Sequence, residues 1–219
     1  MHSTHISHQI YAKLSVDATF NQKKIIEKLS DWVTDDDYQR IFLLNGYAGT
    51  GKTTIIAAFV AALNDLGIKT ILLAPTGRAA KVLSHYSGAD AFTIHKRIYR
   101  ERTMADYESK FSLDYNRERG AVFIVDEASM ISNQSGSGVE FGSGRVLDDL
   151  MEYVYSGDNC SMILVGDTAQ LLPIGQSSSP ALDKNIVEGY GLEVMEYQLT
   201  QVIRQAGESG ILFNATKIR

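Results

Sequence analysis

Gly46-Tyr47-Ala48-Gly49-Thr50-Gly51-Lys52-Thr53 fits the pattern G-x-x-x-x-G-K-[ST], and its two flanks decide the fold. Ile41-Phe42-Leu43-Leu44 before it reads as a buried strand, and the apolar, alanine-rich run from Thr54 to Leu63 reads as a helix. A strand, a glycine-rich turn and a helix in that order make a phosphate-binding loop. The glycines let successive backbone N–H groups turn onto phosphate oxygens, and the helix N-terminus adds its partial positive charge. Gly46, Ala48, Gly49, Thr50, Gly51, Lys52, Thr53 and Thr54 are therefore the candidate nucleotide contacts. Lys52 supplies a mobile full charge, and the Thr53 hydroxyl suits Mg²⁺, a hard cation that takes oxygen ligands from protein, phosphate and water together.

Upstream of the loop, Asn21 is placed to cap a helix whose apolar stripe is Ile25, Ile26, Leu29, Trp32 and Val33, with Asp35-Asp36-Asp37 as a solvated end. Residues 1–16 read as an N-terminal tail. His2, His5 and His8 recur every three residues there, but so short and polar a stretch is expected to be disordered rather than a metal site. Downstream, Lys69 to Ala74 returns as a second strand that ends at Pro75, and Thr76 to Leu83 leaves it as a helix. A third short helix is expected over 91–99, loop with room for short elements over 101–120, and a buried strand at Ala121-Val122-Phe123-Ile124-Val125. The glycine- and serine-rich stretch 132–145 reads as a flexible loop, since it has little apolar surface to bury. A helix with Val146, Leu147, Leu150, Met151 and Val154 at helical spacing follows, then strands at 162–165 and 193–199 and a short helix from about Ser209. Strands alternating with helices on short connections predict an α/β fold with a mostly parallel sheet covered on both faces and ligands at the strands' C-terminal ends.

Composition bounds the rest. A chain of 219 residues, 44% hydrophobic, can bury one large α/β core or two small ones. No apolar run approaches the ~18 residues of a membrane span, and the N-terminus lacks the order of a signal peptide, so the expectation is cytoplasmic with no membrane partner. The single cysteine, Cys160, lies in an apolar run and reads as a core thiol. A net charge of −5 argues against coating nucleic acid by bulk electrostatics and leaves a local basic groove open.

The chemistry sits at the strand ends. Asp126 and Glu127 close an apolar strand, where a carboxylate pair is costly without a cation or donors to meet, and Mg²⁺ beside the phosphates is the natural partner. Asp126 is then a metal ligand, and Glu127 orients and deprotonates the water that attacks the γ-phosphate. Gln170, after Gly166-Asp167-Thr168-Ala169, can contact the γ-phosphate or that water, or can equally be a surface turn. Arg204, beyond Leu199-Thr200-Gln201-Val202-Ile203, can neutralise transition-state charge or form a surface ion pair.

Six stretches in order carry a resemblance: Gly46 to Thr54, Ala74-Pro75-Thr76-Gly77-Arg78-Ala79-Ala80-Lys81, Thr93-Ile94-His95-Lys96, Asp126-Glu127-Ala128-Ser129-Met130, Gly166 to Gly175, and Leu199 to Gln205. Together they resemble the first motor domain of superfamily 1 DNA helicases, in the exonuclease V alpha-subunit (RecD-like) branch. The resemblance implies a P-loop NTPase of RecA-like, three-layer architecture over 17–219, with Mg²⁺ and ATP as cofactors. It makes Lys52, Asp126, Glu127, Gln170 and Arg204 the catalytic set, Thr53 and Asp126 the metal ligands, and Arg204 an arginine finger. Gln22 matches the family's adenine-reading glutamine, against a plain exposed glutamine at a helix start. Pro75, Thr76, Arg78, His95 and Lys96 are assigned to the face that touches single-stranded DNA; a solvated helix face and a structural histidine remain the ordinary alternatives.

The same resemblance implies a second RecA-like domain of the same polypeptide beyond Arg219, possible helicase-nuclease subunits as partners, and 5′ to 3′ translocation. The isolated chain is expected to bind Mg·ATP, hydrolyse it poorly and unwind nothing. Two competing readings are a phosphate-loop kinase or nucleotide hydrolase without a nucleic-acid track, and a nucleotide-dependent interaction module. The resemblance gives no role to the 132–145 loop.

Overall fold

The computed structural model describes residues 2–35, 37–101, 111–134, 141–167, 169–170, 172–173 and 178–202. Six strands form one sheet: β1 (Arg40–Gly46), β2 (Thr70–Ala74), β3 (Ala91–Thr93), β6 (Val122–Val125), β7 (Ser161–Gly166) and β8 (Glu193–Leu199). Their spatial order is β3-β2-β6-β7-β1-β8, and every ladder is parallel. Two further strands, β4 (Tyr99–Glu101) and β5 (Phe111–Leu113), pair as a separate antiparallel hairpin.

The apolar runs read as strands because both faces of the sheet are covered, so each residue in a run has somewhere to bury. Phe42 and Leu44 of β1 and Ile163 and Val165 of β7 face one core with α1 (Ser3–Lys13), α2 (Phe20–Thr34), α3 (Lys52–Asp65) and α4 (Gly77–Ser87). Their alternate neighbours Ile41, Leu43, Met162 and Leu164 face a second core with α5 (Ile94–Ile98), α6 (Val146–Tyr155) and α7 (Lys184–Glu188). This is the three-layer α/β arrangement of the P-loop fold. Because all six strands run the same way, the turns that follow β1, β2, β6 and β7 open at one end of the sheet.

Three expectations are corrected. Residues 3–13 are not a disordered tail: Ile6 and Ile10, one turn apart, are fully buried among α2 and α3 residues, and Lys13 pairs with Asp65 on α3. Two well-placed isoleucines anchor an otherwise polar helix. The cap of α2 is Thr19, not Asn21; Thr19 Oγ1 accepts from Gln22 N while Gln22 Oε1 accepts from Thr19 N, a reciprocal capping box. Residues 91–93 are an edge strand on β2, so the third helix starts only at Ile94, where Thr93 caps it. The short elements expected within the 101–120 loop include β5, one half of the β4–β5 hairpin.

The glycine-serine stretch is divided. Residues 135–140 lie outside the described set, but Phe141 to Gly144 are tied down: Gly142 N donates to Phe111 O at 3.0 Å and Ser143 N to Asp149 Oδ2 at 3.0 Å. The expected helix from Ser209 also lies outside the described residues. No helix among the described residues is long and apolar enough to cross a membrane.

Candidate functional site

The phosphate loop is shaped by three glycines with different duties. Gly49 (φ 79°) and Gly51 (φ 87°) adopt the left-handed conformation that side-chain-bearing residues avoid, which turns the loop and starts α3. Gly46 is needed for space: a Cβ there would stand 2.8 Å from Leu199 Cβ and 3.0 Å from Thr50 Oγ1. Thr50, fully buried, locks the turn by donating its hydroxyl to Tyr47 O at 2.8 Å. Ala48 and Thr54 are exposed on the rim.

Lys52 opens α3 and folds back over the loop, where Nζ donates to Gly46 O at 2.5 Å and Tyr47 O at 3.0 Å. Burial pushes its ammonium below the usual lysine range, and Asp167, Asp126 and Glu127, in that order, pull it back up. Three carboxylates thus converge on one cation. Burial raises Asp126 against a backbone hydrogen bond from Glu127 N (2.9 Å) and the pull of Lys52. Burial also raises Glu127, and the neighbouring Asp126 adds to it. Glu127 holds φ 55°, uncommon for a residue with a side chain, and this left-handed step turns the chain out of β6.

Asp167 is a residue for which sequence reasoning supplied no role. It is 1% exposed at the end of β7; Oδ1 accepts from Ala169 N at 2.9 Å, while Oδ2 is buried with no hydrogen-bond partner among the described residues. Buried carboxylate oxygens are normally satisfied, so an orphan beside a phosphate loop marks a place for a donor or a hydrated cation. The signal was in the sequence, as an aspartate ending an apolar strand, but Asp126-Glu127 had already accounted for the expected chemistry.

A cavity of about 270 Å³ joins the set: Thr53, Asp126, Glu127 and Gln170 line it together with Thr76, Arg78, Ala79, Val82 and Met130. Thr76 and Arg78, expected on a DNA-contacting face, therefore share walls with the carboxylates. Thr76 caps α4 by accepting from Ala79 N at 3.2 Å, with half-buried Pro75 just before it. His95 and Lys96 do not line this cavity. The half-buried His95 ring packs edge-on to Phe141 (5.1 Å between centroids) and against Tyr99 (5.5 Å), whereas Lys96 is exposed with its ammonium 5.5 Å above the Phe92 ring. Gln22 is not an exposed helix-start glutamine: it is 4% exposed, its Oε1 serves the capping box, and its Nε2 donates to Thr50 O at 3.4 Å. Arg204 lies outside the described residues.

These residues fit Mg·ATP. The loop offers the helix start of α3 and Lys52 to the phosphates, and Thr53 and Asp126 carry oxygens suited to a cation. No cluster of three or more His, Cys, Asp or Glu suited to a metal occurs among the described residues.

A sequence profile of the family described as "AAA domain" matches residues 21–218. The chain is 30% identical over 173 residues to the ATP-dependent RecD2 DNA helicase of Deinococcus radiodurans, covering 79% of this chain and 21% of that protein. In fold it is similar to the Pif1 helicase of Candida albicans, with a TM-score of 0.60 at 15% identity over 93% of this chain and 44% of that one. It is also similar to the Pif1 helicase of Bacteroides in complex with ADP-AlF3 and ssDNA, with a TM-score of 0.50 at 20% identity over 93% and 46%. The chain thus spans about a fifth of the curated relative's length and under half of each structural neighbour.

Proposed function

The chain belongs to the AAA domain family, and from that premise we propose that it is the ATP-binding first motor domain of a superfamily 1, RecD-like DNA helicase. In the whole protein, ATP hydrolysis then drives movement along single-stranded DNA. The observation that carries this reading is the convergence of Lys52, Asp126, Glu127 and Asp167 at the end of the sheet where Gln170, Thr76 and Arg78 close the same cavity. In this reading the nucleotide site and the start of α4, proposed to face the strand, are neighbours. The names of the relatives, an ATP-dependent DNA helicase and a helicase complexed with single-stranded DNA, support the same reading.

In this proposal the loop amides and Lys52 hold the β- and γ-phosphates, and Thr53 and Asp126 hold Mg²⁺. The ion, when bound, withdraws charge from the transferring phosphoryl group. Asp167, through its unpartnered oxygen, orients the Lys52 ammonium or the metal's water shell. Glu127 takes the proton of the attacking water, and its left-handed backbone fixes where its carboxylate projects. Gln170 links the γ-phosphate side of the cavity to the strand side, and Arg204 is proposed as the arginine finger. The second RecA-like domain and the cytoplasmic location belong to the same proposal.

The test is ATPase activity of the full-length protein with and without oligodeoxythymidylate. Stimulation of about tenfold or more is expected for a motor whose track completes its site. An unaltered rate, with no binding of the oligonucleotide, refutes the nucleic-acid track and leaves a nucleotide hydrolase.

A further inference from the structure

A second cavity, of about 580 Å³, opens at the end of the sheet opposite the phosphate loop. Tyr38 and Gln39 lead from it into β1, Asp158 to Cys160 into β7, and Gly191 and Leu192 into β8, so it sits where three parallel strands begin. Its volume is that of a small-molecule site. No described residue in its lining is basic.

The walls are aromatic and acidic. Tyr155 OH donates to Arg40 O at 2.9 Å and Tyr190 OH donates to Asp148 Oδ1, so both hydroxyls are tied and both rings are held in place. Exposed Tyr38 and buried Met151 extend the apolar surface. Of the three lining carboxylates, Asp148 is committed: it also accepts from Asn133 Nδ2 at 3.0 Å and pairs with Arg145 at 2.8 Å. Asp158 has only Arg119, 3.7 Å away with both groups largely solvated, and such a pair is worth little. Glu152 forms no ion pair or side-chain hydrogen bond with another described residue. The other cations of the neighbouring elements are engaged elsewhere. Arg40 turns its guanidinium to Asp35 and the Trp32 ring, and Lys184 pairs with Glu188.

Glu152 and Asp158 are therefore two available charges on a rim with apolar surface between them. Among the described residues the carboxylates do not converge on one point as a metal site would. A longer cation suits this spacing, with charge at its ends for the carboxylates and methylenes between them for the rings and Met151.

We propose that this cavity is a binding site for an aliphatic diamine or polyamine, with one ammonium at Glu152, another at Asp158, and the carbon chain against Tyr38, Tyr155 and Tyr190. The site shares no residue with the phosphate loop, the carboxylate pair that follows β6 or the start of α4, so it stands apart from the reading of the protein as a motor.

The experiment is calorimetric titration of the full-length protein with putrescine, without nucleotide or DNA. Saturable one-to-one binding is expected. Glu152→Gln should weaken it about tenfold, whereas Glu27→Gln, which removes an exposed carboxylate of α2 far from the cavity, should leave it within about twofold. Tyr38→Ala should weaken it about threefold and Tyr38→Phe hardly at all, since the ring face is what the carbon chain meets. An about tenfold excess of Mg²⁺, with the same charge on a compact and firmly hydrated ion, should displace little of the putrescine. Absence of saturable binding overturns the site. Equal losses in Glu152→Gln and Glu27→Gln, or full displacement by Mg²⁺, overturn it as well, because general attraction to an acidic surface predicts those results. Glu152 and Tyr38 are both exposed, so neither substitution disturbs the core, and melting of each variant checks that it is folded.

Discussion

The ring of Phe141 lies parallel to that of Phe111, 4.4 Å between centroids and 8° between planes. One residue comes from the end of the glycine-serine stretch and the other from β5, so the stack clamps the hairpin onto the body of the domain. Tyr99 OH donates to Asp149 Oδ2 at 2.6 Å beside it, and Gly142 fits only because a Cβ there would meet that carboxylate and the Tyr99 ring. Phe141→Ala is expected to destabilise the domain by about 1–3 kcal/mol, from the lost aromatic pair and a partial cavity. Affinity for a non-hydrolysable ATP analogue should stay within a few fold. Denaturant unfolding checks the first and calorimetry the second; an unaltered unfolding midpoint means the clamp is not structural.

Gly46→Ala places a methyl 2.8 Å from Leu199 Cβ and 3.0 Å from Thr50 Oγ1, between two backbone segments that the β1–β8 ladder holds together. Overpacking of this kind costs about 1–3 kcal/mol. The strain falls on the loop itself, so ATP-analogue affinity should drop along with stability. Wild-type affinity at a lowered melting temperature would place the strain in β8 alone.

Gln22→Ala removes half of the α2 capping box and the donor to Thr50 O. In nucleotide-free protein the expected loss is about 1 kcal/mol. The adenine-reading role predicts something different, a loss of discrimination between ATP and GTP without such destabilisation. Melting without ligand, and competition between the two nucleotides, separate the contributions.

Glu127→Gln keeps the size of the side chain and removes the base. Turnover should fall by about 10²–10⁴-fold, the range of a lost general base, while nucleotide binding persists. Removing a carboxylate that pulls on Lys52 leaves Asp126 and Asp167 to hold it, so binding should not suffer. Near-wild-type turnover in the full-length protein would move the base elsewhere.

The sheet, the phosphate loop and the carboxylate pair were legible because each is written in consecutive residues: an apolar run, then glycines or acids. The RecD-like, superfamily 1 assignment read from six such stretches is borne out by the family profile and the RecD2 relative. What the sequence concealed depends on contacts far apart in the chain. Ile6 and Ile10 become anchors only when α2 and α3 lie beside them, and Phe141 escapes a flexible composition only through Phe111, 30 positions earlier. Arg78 belongs to the carboxylate cavity because β2 neighbours β6 in space, across 48 residues of chain. Asp167 was visible as a strand-ending acid; its unsatisfied oxygen was not.

His95 offers a pH test of the aromatic cluster. Burial among the rings lowers its pKa from the ordinary 6.5, with Asp149 partly offsetting the shift. The folded state therefore binds the proton less readily than the unfolded chain, and protonation favours unfolding. Its contribution is fully retained above about pH 6.5 and is lost as the pH falls from there through the lower folded value. The melting temperature of the wild type should decline as the pH falls below about 6.5, and His95→Gln, which has no such proton to gain, should decline less steeply. Parallel slopes for the two proteins would show that the histidine stays solvated enough to titrate normally. In that event its ring would be open to the strand-contact role that the motif suggests.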